Sequence, residues 1–216
     1  MVREMCTLKN KLHDEKGFTL IEMAIVLVII GIIIGAVVKG KDVMKSAEQK
    51  RLYTTFVREW QMAYNNYYDR TGRILGDDIT NANTTRDGRC GNGTLASVTA
   101  LNNQLTYVGL NPPAVGPTNV TNVRTYTDTW GRQYTLTLQF NNNTTFGNFI
   151  QITSPNGIPF DLGLAWDRIV DGSSDGDAGD FLYIPATTSP AVAANWPGNA
   201  SVAPGATSAV YLRLEF

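Results

Sequence analysis

A single carboxylate stands inside the longest apolar run of this chain. Glu22 is the only charged residue between Phe18 and Val38, and Gly17 comes directly before the run. A carboxylate in an apolar environment is costly unless a positive charge compensates it. The chemistry expected of Glu22 is therefore an ion pair with a cationic partner.

The apolar run has the length of a membrane span. Residues 18–38 cover 21 positions, or about 30 Å of helix. A secretory signal has a shorter apolar region, about 7–15 residues, and is cut after it. Here Lys39-Gly40-Lys41 follows the run. Processing is therefore expected before the run, so that the apolar segment stays in the mature protein. A plain membrane anchor with an incidental Glu22 is the alternative.

A second set of residues with metal-ligand chemistry lies in an acidic loop at 171–180. Oxygen side chains at its positions 1, 3, 5 and 7 and Gly176 at position 6 follow the first half of an EF-hand. The predicted ligands are Asp171, Ser173, Asp175, Asp177 and Asp180. Position 12 is Leu182 instead of a bidentate Glu, so the loop is not an EF-hand. Flexible carboxylates suit Ca²⁺ better than transition metals. The sequence predicts a Ca²⁺ site, with Asp161 and Asp167 as further ligands; the alternative is a solvated turn.

Helical periodicity continues beyond the apolar run. Apolar and aromatic residues recur mostly three or four positions apart, at Val43, Ala47, Tyr53, Phe56, Trp60, Ala63 and Tyr67. The pattern is interrupted around Lys50 and Arg51 and ends at Thr71-Gly72, where glycine would cap the helix. The sequence predicts one long helix, apolar all round in its first half and amphipathic in its second. The aromatic stripe is expected to pack onto a sheet.

The remaining chain is rich in strand patterns. Strand candidates are Val123–Thr127, Gln133–Phe140, Asn148–Thr153, Phe181–Ile184 and Ala209–Glu215. Apolar and polar residues alternate in Gln133–Phe140, which predicts a half-buried antiparallel strand. The Asn/Thr/Gly-rich stretch from Ile74 to Thr121 is expected to be a long loop. The predicted fold class is α+β, a long N-terminal hydrophobic helix packed on a small antiparallel β-sheet head.

The segment Lys16-Gly17-Phe18-Thr19-Leu20-Ile21-Glu22 resembles the cleavage and assembly signal of type IV prepilins and pseudopilins. The resemblance implies that a prepilin peptidase cuts after Gly17 and that Phe18 becomes an N-methylated terminus. It also implies that Glu22 pairs with the terminal amine of a neighbouring subunit. The implied fold is the pilin αβ-roll. Its parts are a cleaved cytoplasmic leader at 1–17, a membrane or filament-core segment at 18–38, an amphipathic segment at 39–72 and a β-rich head at 73–216.

A turn in the β-rich part shows a second resemblance. Asp128-x-Trp130-Gly131-x-x-Tyr134 is similar to a turn common in major pseudopilins, with Thr129 in place of a proline. The resemblance implies a structural role, in which Gly131 supplies an unusual backbone angle and Trp130 is the anchor. Major pseudopilins also carry a calcium loop in a position comparable to 171–180.

Composition argues against catalysis. The only histidine, His13, and one of the two cysteines, Cys6, lie in the leader. Cys90 would remain without a histidine base, and no serine motif or phosphate-binding glycine loop occurs. The mature chain can form no internal disulfide; Cys90 is expected to be a free thiol, with a link between subunits as the alternative. No basic tract suggests a nucleic-acid site.

The expected function is that of a structural subunit of a helical homopolymer. The precursor would lie in the bacterial inner membrane and depend on pilus or type II secretion machinery for assembly. Long Asn/Thr/Ala-rich loops favour an extracellular pilus. The turn at Trp130, the acidic loop and the missing disulfide favour a periplasmic pseudopilus. A minor tip adhesin is a third alternative.

Overall fold

A computed structural model describes residues 17–77, 88–90, 98–114, 121–185, 193–196 and 208–214 of the chain. The predicted leader, up to residue 16, lies outside the described residues. The chain forms two compact units, Met1–Val43 and Met44–Phe216. Each unit is described by itself.

The first unit is dominated by the apolar part of helix α1, which spans Leu20–Leu52. Every described residue of this unit is exposed, although most of them are apolar. The helix passes through Gly31, Gly35 and Gly40 without a break. Among the described residues, this helix alone is long and apolar enough to cross a membrane. The predicted membrane-length helix is therefore present.

The second unit combines helices with one antiparallel sheet. Its elements after α1 are a π-helical turn at Tyr53–Val57, α2 at Arg58–Thr71, α3 at Val98–Tyr107, β1 at Val123–Thr127, β2 at Gln133–Asn143, β3 at Gly147–Thr153, α4 at Phe160–Val170, β4 at Phe181–Ile184 and β5 at Ala209–Arg213. The strand order is β1-β2-β3-β5-β4, and every neighbouring pair is antiparallel. The predicted α+β class is confirmed.

The helical pattern is interrupted at Lys50 and Arg51, and the π-helical turn begins two residues further on, at Tyr53. The Arg58 N–H donates to the Tyr53 carbonyl five residues earlier, which is the π-type bond. Within this turn, the hydroxyls of Thr54 and Thr55 donate, each at 2.9 Å, to the carbonyls of Lys50 and Arg51, which come just before it. These side chains supply donors to carbonyls in a widened turn. Helix α2 then ends where predicted, at Gly72, whose φ of 65° is left-handed.

The aromatic stripe of the helix packs onto the sheet, as predicted. Trp60 and Tyr64 are fully buried. The Tyr64 ring stacks on Phe140 of β2 at 5.7 Å, and Trp60 meets the same ring edge-on at 5.8 Å. Large aromatic rings in such geometries bury much apolar area and add specific contact energy. This face is the main core of the second unit.

The other face of the sheet is apolar over three strands. On β2 the burial alternates as predicted for a half-buried strand, but all four residues of β4 are buried. A second cluster forms there from Phe149, Leu182, Ile184, Ala209 and Tyr211. The Phe149 and Tyr211 rings stack at 4.2 Å. One half of the sheet is therefore buried on both faces.

Two helices were not expected from the sequence. Helix α3 lies inside the stretch predicted to be a loop, and α4 lies between β3 and β4. Helix α4 carries ordinary helix signals, with Pro159 before it, Asp161 in its first turn and Arg168 in its last. Its buried face includes Asp167, so the apolar pattern is broken by a charged residue.

We expect Gly163→Ala to destabilise the second unit, although alanine is the better helix former by about 1 kcal/mol. A Cβ at Gly163 of α4 would lie 2.2 Å from Cη2 of Trp196. Forcing a rigid ring to move in a packed core costs about 1–3 kcal/mol. Thermal unfolding of the detergent-solubilised chain should show a lower Tm. Gly40→Ala, a helical glycine with nothing within 4 Å, is the matched control and should not lower it.

Candidate processing and assembly site

The predicted cleavage point lies in a short segment before helix α1. Residues 17–19 have no regular secondary structure, and α1 begins at Leu20. Phe18 is 80% exposed, and among the described residues no atom beyond the chain neighbours lies within 4 Å of where a Gly17 Cβ would be. The Gly17–Phe18 peptide bond is thus accessible to an enzyme that approaches from the side of Phe18. The structure places both predicted processing residues next to the predicted assembly residue.

Glu22 is held at the start of α1 by Thr19. The Thr19 N–H and hydroxyl donate to Glu22 Oε2 at 2.7 and 2.8 Å, and the Glu22 N–H donates to Thr19 Oγ1 at 3.3 Å. This reciprocal arrangement is a capping box, and a carboxylate there also interacts favourably with the helix dipole. Oε1 accepts no hydrogen bond from the described residues, so one oxygen remains for a cation. This role of Thr19 was not predicted, although Thr-x-x-Glu before an apolar run is a capping-box signature.

The acidic loop closes on itself through Asp171. Its Oδ1 accepts the Asp180 N–H at 3.0 Å, and its Oδ2 accepts the Phe181 N–H at 2.9 Å. Gly179 lies against this carboxylate, because a Cβ there would come within 2.5 Å of Asp171 Oδ2. Backbone amides thus occupy both oxygens of the first predicted ligand.

The other predicted ligands do not converge on one point. Ser173 donates to Asp175 Oδ2 at 3.0 Å, and Asn195 donates to Asp177 Oδ2 at 2.9 Å. In the described part of the chain, no three Asp, Glu, His or Cys side chains are placed to hold a metal ion. Oδ1 of Asp175 is buried without a hydrogen-bond partner. Calcium binding therefore stays a prediction.

The two additional candidate ligands lie at opposite ends of α4. Asp167 is fully buried and accepts the Trp196 indole N–H at 2.6 Å, while its Oδ1 accepts no hydrogen bond from the described residues. Burial raises the pKa of Asp167; the Trp196 hydrogen bond opposes the rise, and the nearby carboxylate of Asp175 adds to it. Asp161, near the start of α4, instead accepts the Tyr126 hydroxyl at 2.6 Å. Of these two residues, only Asp167 lies close to the acidic loop at 171–180.

The turn between β1 and β2 is anchored by Asp128, and the predicted anchoring by Trp130 is wrong. The Asp128 carboxylate accepts the N–H groups of Trp130 and Arg132 at 2.9 and 2.8 Å, and Arg132 Nε at 2.6 Å. The Tyr134 hydroxyl lies 3.4 Å away as a fourth donor. Gly131 has φ of 82°, as predicted. Trp130 is 72% exposed, so its indole does not anchor the turn.

We expect Asp128 to make the stability of the second unit depend on pH. Burial raises the pKa of Asp128, but hydrogen bonds from Arg132 and Trp130 outweigh it, so the folded-state pKa is lowered. The stabilisation is therefore full above the unfolded-state pKa of about 4 and lost as pH falls through the folded-state pKa. Asp128→Asn should cost about 2 kcal/mol at pH 7 and progressively less below pH 4. Urea unfolding of both proteins across this range measures it; a pH-independent difference would contradict the assignment.

Cys90 is a buried thiol. Its side chain is inaccessible, and its N–H donates to Asn148 Oδ1 at 2.9 Å. Burial raises the pKa of the Cys90 thiol to about 12, so the reactive thiolate is scarce at neutral pH. A disulfide between folded subunits would need this segment to open. The structure thus favours the free thiol over the intersubunit link.

Comparison with known families gives one match. The family described as the prokaryotic N-terminal methylation motif matches residues 12–38. The match covers Gly17, Phe18, Glu22 and the whole apolar run. Comparisons with curated proteins and with solved structures find no match.

The match and the geometry describe the same segment. The matched motif is the class III leader, which implies processing by a prepilin peptidase and handling by an assembly machinery. The open Gly17–Phe18 bond, the capped Glu22 and the exposed apolar helix all lie within or beside it. Residues 12–38 of this chain therefore carry the N-terminal methylation motif, which supports a membrane-anchored precursor similar to type IV pilins and pseudopilins.

Proposed function

We propose that the mature chain is a structural subunit of a helical, pilus-like filament and not an enzyme. One observation carries the proposal: the first unit exposes apolar side chains on all sides, with Glu22 as its only charge between Phe18 and Val38. A helix that only spans lipid has no use for that carboxylate, which is costly there. In a filament core, Glu22 finds the terminal amine of Phe18 in a neighbouring copy.

Among filaments, we propose an extracellular type IV pilus, with a homopolymer of this chain as its body. The Asn/Thr/Ala-rich stretches suit a surface exposed outside the cell. The type II secretion pseudopilus is the second candidate. It is favoured by the turn at Asp128 and Gly131 and by the acidic loop, which resemble features of major pseudopilins.

Mass spectrometry of a sheared cell-surface fraction, compared with the membrane fraction, tests this proposal. The expected result is an abundant peptide that begins at N-methylated Phe18 in the sheared material. Processed protein confined to membranes would favour a pseudopilin or a minor tip subunit. Protein that still carries Met1–Gly17 in both fractions would overturn the assignment.

We further propose that Ca²⁺ binds the loop at 171–180. Support comes from Asp175 and Asp167, whose buried Oδ1 atoms accept no hydrogen bond within the described part of the chain, a costly state that a cation would relieve. Asp177, Asp180 and Ser173 would complete the ligand set, and Asp171 would keep the loop closed.

We expect millimolar CaCl₂ to raise the Tm of the solubilised mature chain, and EDTA to reverse the rise. At 100 times the Kd, a bound ion stabilises by about 2.7 kcal/mol. Asp175→Asn should abolish the response, while Asp69→Asn, on α2, should keep it. An unchanged Tm in the wild-type protein would refute the site.

A further inference from the structure

Trp130 is exposed in a way that the fold of the second unit does not explain. Trp60 and Trp166 are fully buried, and Trp196 is 9% exposed. Trp130, by contrast, is 72% exposed and belongs to neither core cluster. Tryptophan is rarely left in water, and exposed rigid indoles are typical centres of binding interfaces.

The exposure of Trp130 belongs to an ordered turn. The buried Asp128 carboxylate accepts the backbone N–H groups of Trp130 and Arg132, and its second oxygen accepts Nε of the Arg132 side chain. The Asp128 N–H also donates to the Arg132 carbonyl at 2.9 Å and closes the turn. The backbone at Trp130 is thus fixed, so little backbone entropy is lost when this turn binds a partner.

Arg132 defines the chemistry that would fit this surface. Its guanidinium carbon lies 5.1 Å from the Trp130 ring, and its side chain is 49% exposed. Its Nε donates a hydrogen bond to Asp128, and its Nη groups make no hydrogen bond to any described residue. A surface complementary to Trp130 and Arg132 would be flat enough to contact the indole and would carry carboxylates that pair with the guanidinium.

The acidic loop of the same chain has that chemistry. Asp177, Ala178, Gly179 and Asp180 are consecutive exposed residues, two of them acidic and two of them small. The loop leads into β4, one edge strand, whereas the turn at Trp130 leaves β1, the other edge strand. The two surfaces are therefore on opposite edges of one sheet.

We propose that Trp130 and Arg132 dock on the acidic loop of a second copy, which joins successive heads of the filament. Two different patches at opposite edges form a heterologous contact, and such contacts propagate as open helical arrays. Stacking of the indole on the Gly-rich loop supplies apolar burial. Arg132 pairs with Asp177 or Asp180, because a carboxylate has two oxygens and can bridge a guanidinium and an ion held in the loop. The inference rests on the proposed filament and adds the head-to-head contact to it.

Tryptophan fluorescence tests whether Trp130 is covered on assembly. Because the other three indoles are buried, iodide should quench mainly Trp130 in the unassembled, solubilised subunit. In purified fibres we expect this quenchable emission to be lost, and Trp130→Phe should remove it from both samples. Trp130 that stays quenchable in fibres overturns the contact. Trp130 already shielded in unassembled subunits in lipid vesicles also overturns it, since the membrane is then its partner.

Cysteine cross-linking tests the identity of the partner surface. Thr129→Cys combined with Ala178→Cys adds exposed thiols beside both surfaces, and native Cys90 is buried. Oxidation of fibres should give a ladder of covalent oligomers, and each single variant should give none. Fibres that form normally without a ladder refute this pairing. Failure of the unmodified chain to form any fibre would instead refute the proposed function.

Trp130→Ser tests the energetic weight of the contact. Loss of a hot-spot indole should lower fibre yield about 30-fold, while cleavage after Gly17 and the Tm of the subunit stay unchanged. Tyr107→Ser is the matched control, because Tyr107 is 92% exposed and lies at the end of α3. Equal yields from both variants would contradict a special role of Trp130.

Discussion

Glu22→Ala is expected to abolish filament assembly while membrane insertion and cleavage after Gly17 continue. Alanine removes the only charge of the apolar run, so insertion becomes easier. Cleavage depends on Gly17 and Phe18, which the substitution leaves in place. Assembly fails because the amine of Phe18 in the next copy meets no carboxylate in an environment that excludes water.

Immunoblots of sheared and membrane fractions measure this result. Mature-size protein should accumulate in membranes, with no detectable fibre. Glu48→Ala is the matched control, since it removes an exposed carboxylate of the same helix beyond the apolar run. A normal fibre yield from Glu22→Ala would contradict the proposed pairing of Glu22 with the amine of Phe18. An equal loss of fibres from Glu48→Ala would indicate a general effect of charge.

Substitution of Thr19 is a second, weaker way to perturb the Glu22 carboxylate. Both donors of Thr19 hold Glu22 Oε2, so Thr19 orients the group that has to find its partner. Loss of the threonine hydroxyl leaves the charge in place and removes only the orientation. The effect of Glu22→Ala is therefore expected to be the larger.

Gly17→Lys is expected to stop maturation completely. The space around Gly17 is open in the chain itself, so the substitution does not disturb the fold. The block arises in the peptidase, because a long charged side chain replaces a hydrogen atom directly beside the bond to be cut. The uncut chain keeps its leader, has no free amine at Phe18 and cannot supply the cation for Glu22.

The size of the membrane-bound protein checks this prediction. Only the precursor band should be seen, and mass spectrometry should find no peptide that starts at Phe18. Gly40→Lys is the control, because it makes the same change between two lysines at the other end of the apolar run and should be cut normally. A mature-size band from Gly17→Lys would show that cleavage occurs elsewhere.

The sequence by itself determined the first unit and the frame of the second. A membrane-length helix depends only on consecutive apolar residues, and the processing signal is read along a few neighbouring positions. Gly72 and the strand β2 were also predictable, because a left-handed cap and a period of two are local properties.

Only the tertiary structure decided which side chains the second unit buries. Trp130 and Trp196 are the same residue type in polar, irregular segments, yet one is exposed and the other lies against Gly163 and Asp167. Cys90 is likewise buried, and its N–H donates to Asn148, 58 positions away. Such contacts depend on which distant segments the fold brings together, and the local sequence does not show which segments these are. The anchor of the turn at 128–132 therefore had to be read from hydrogen bonds to Asp128.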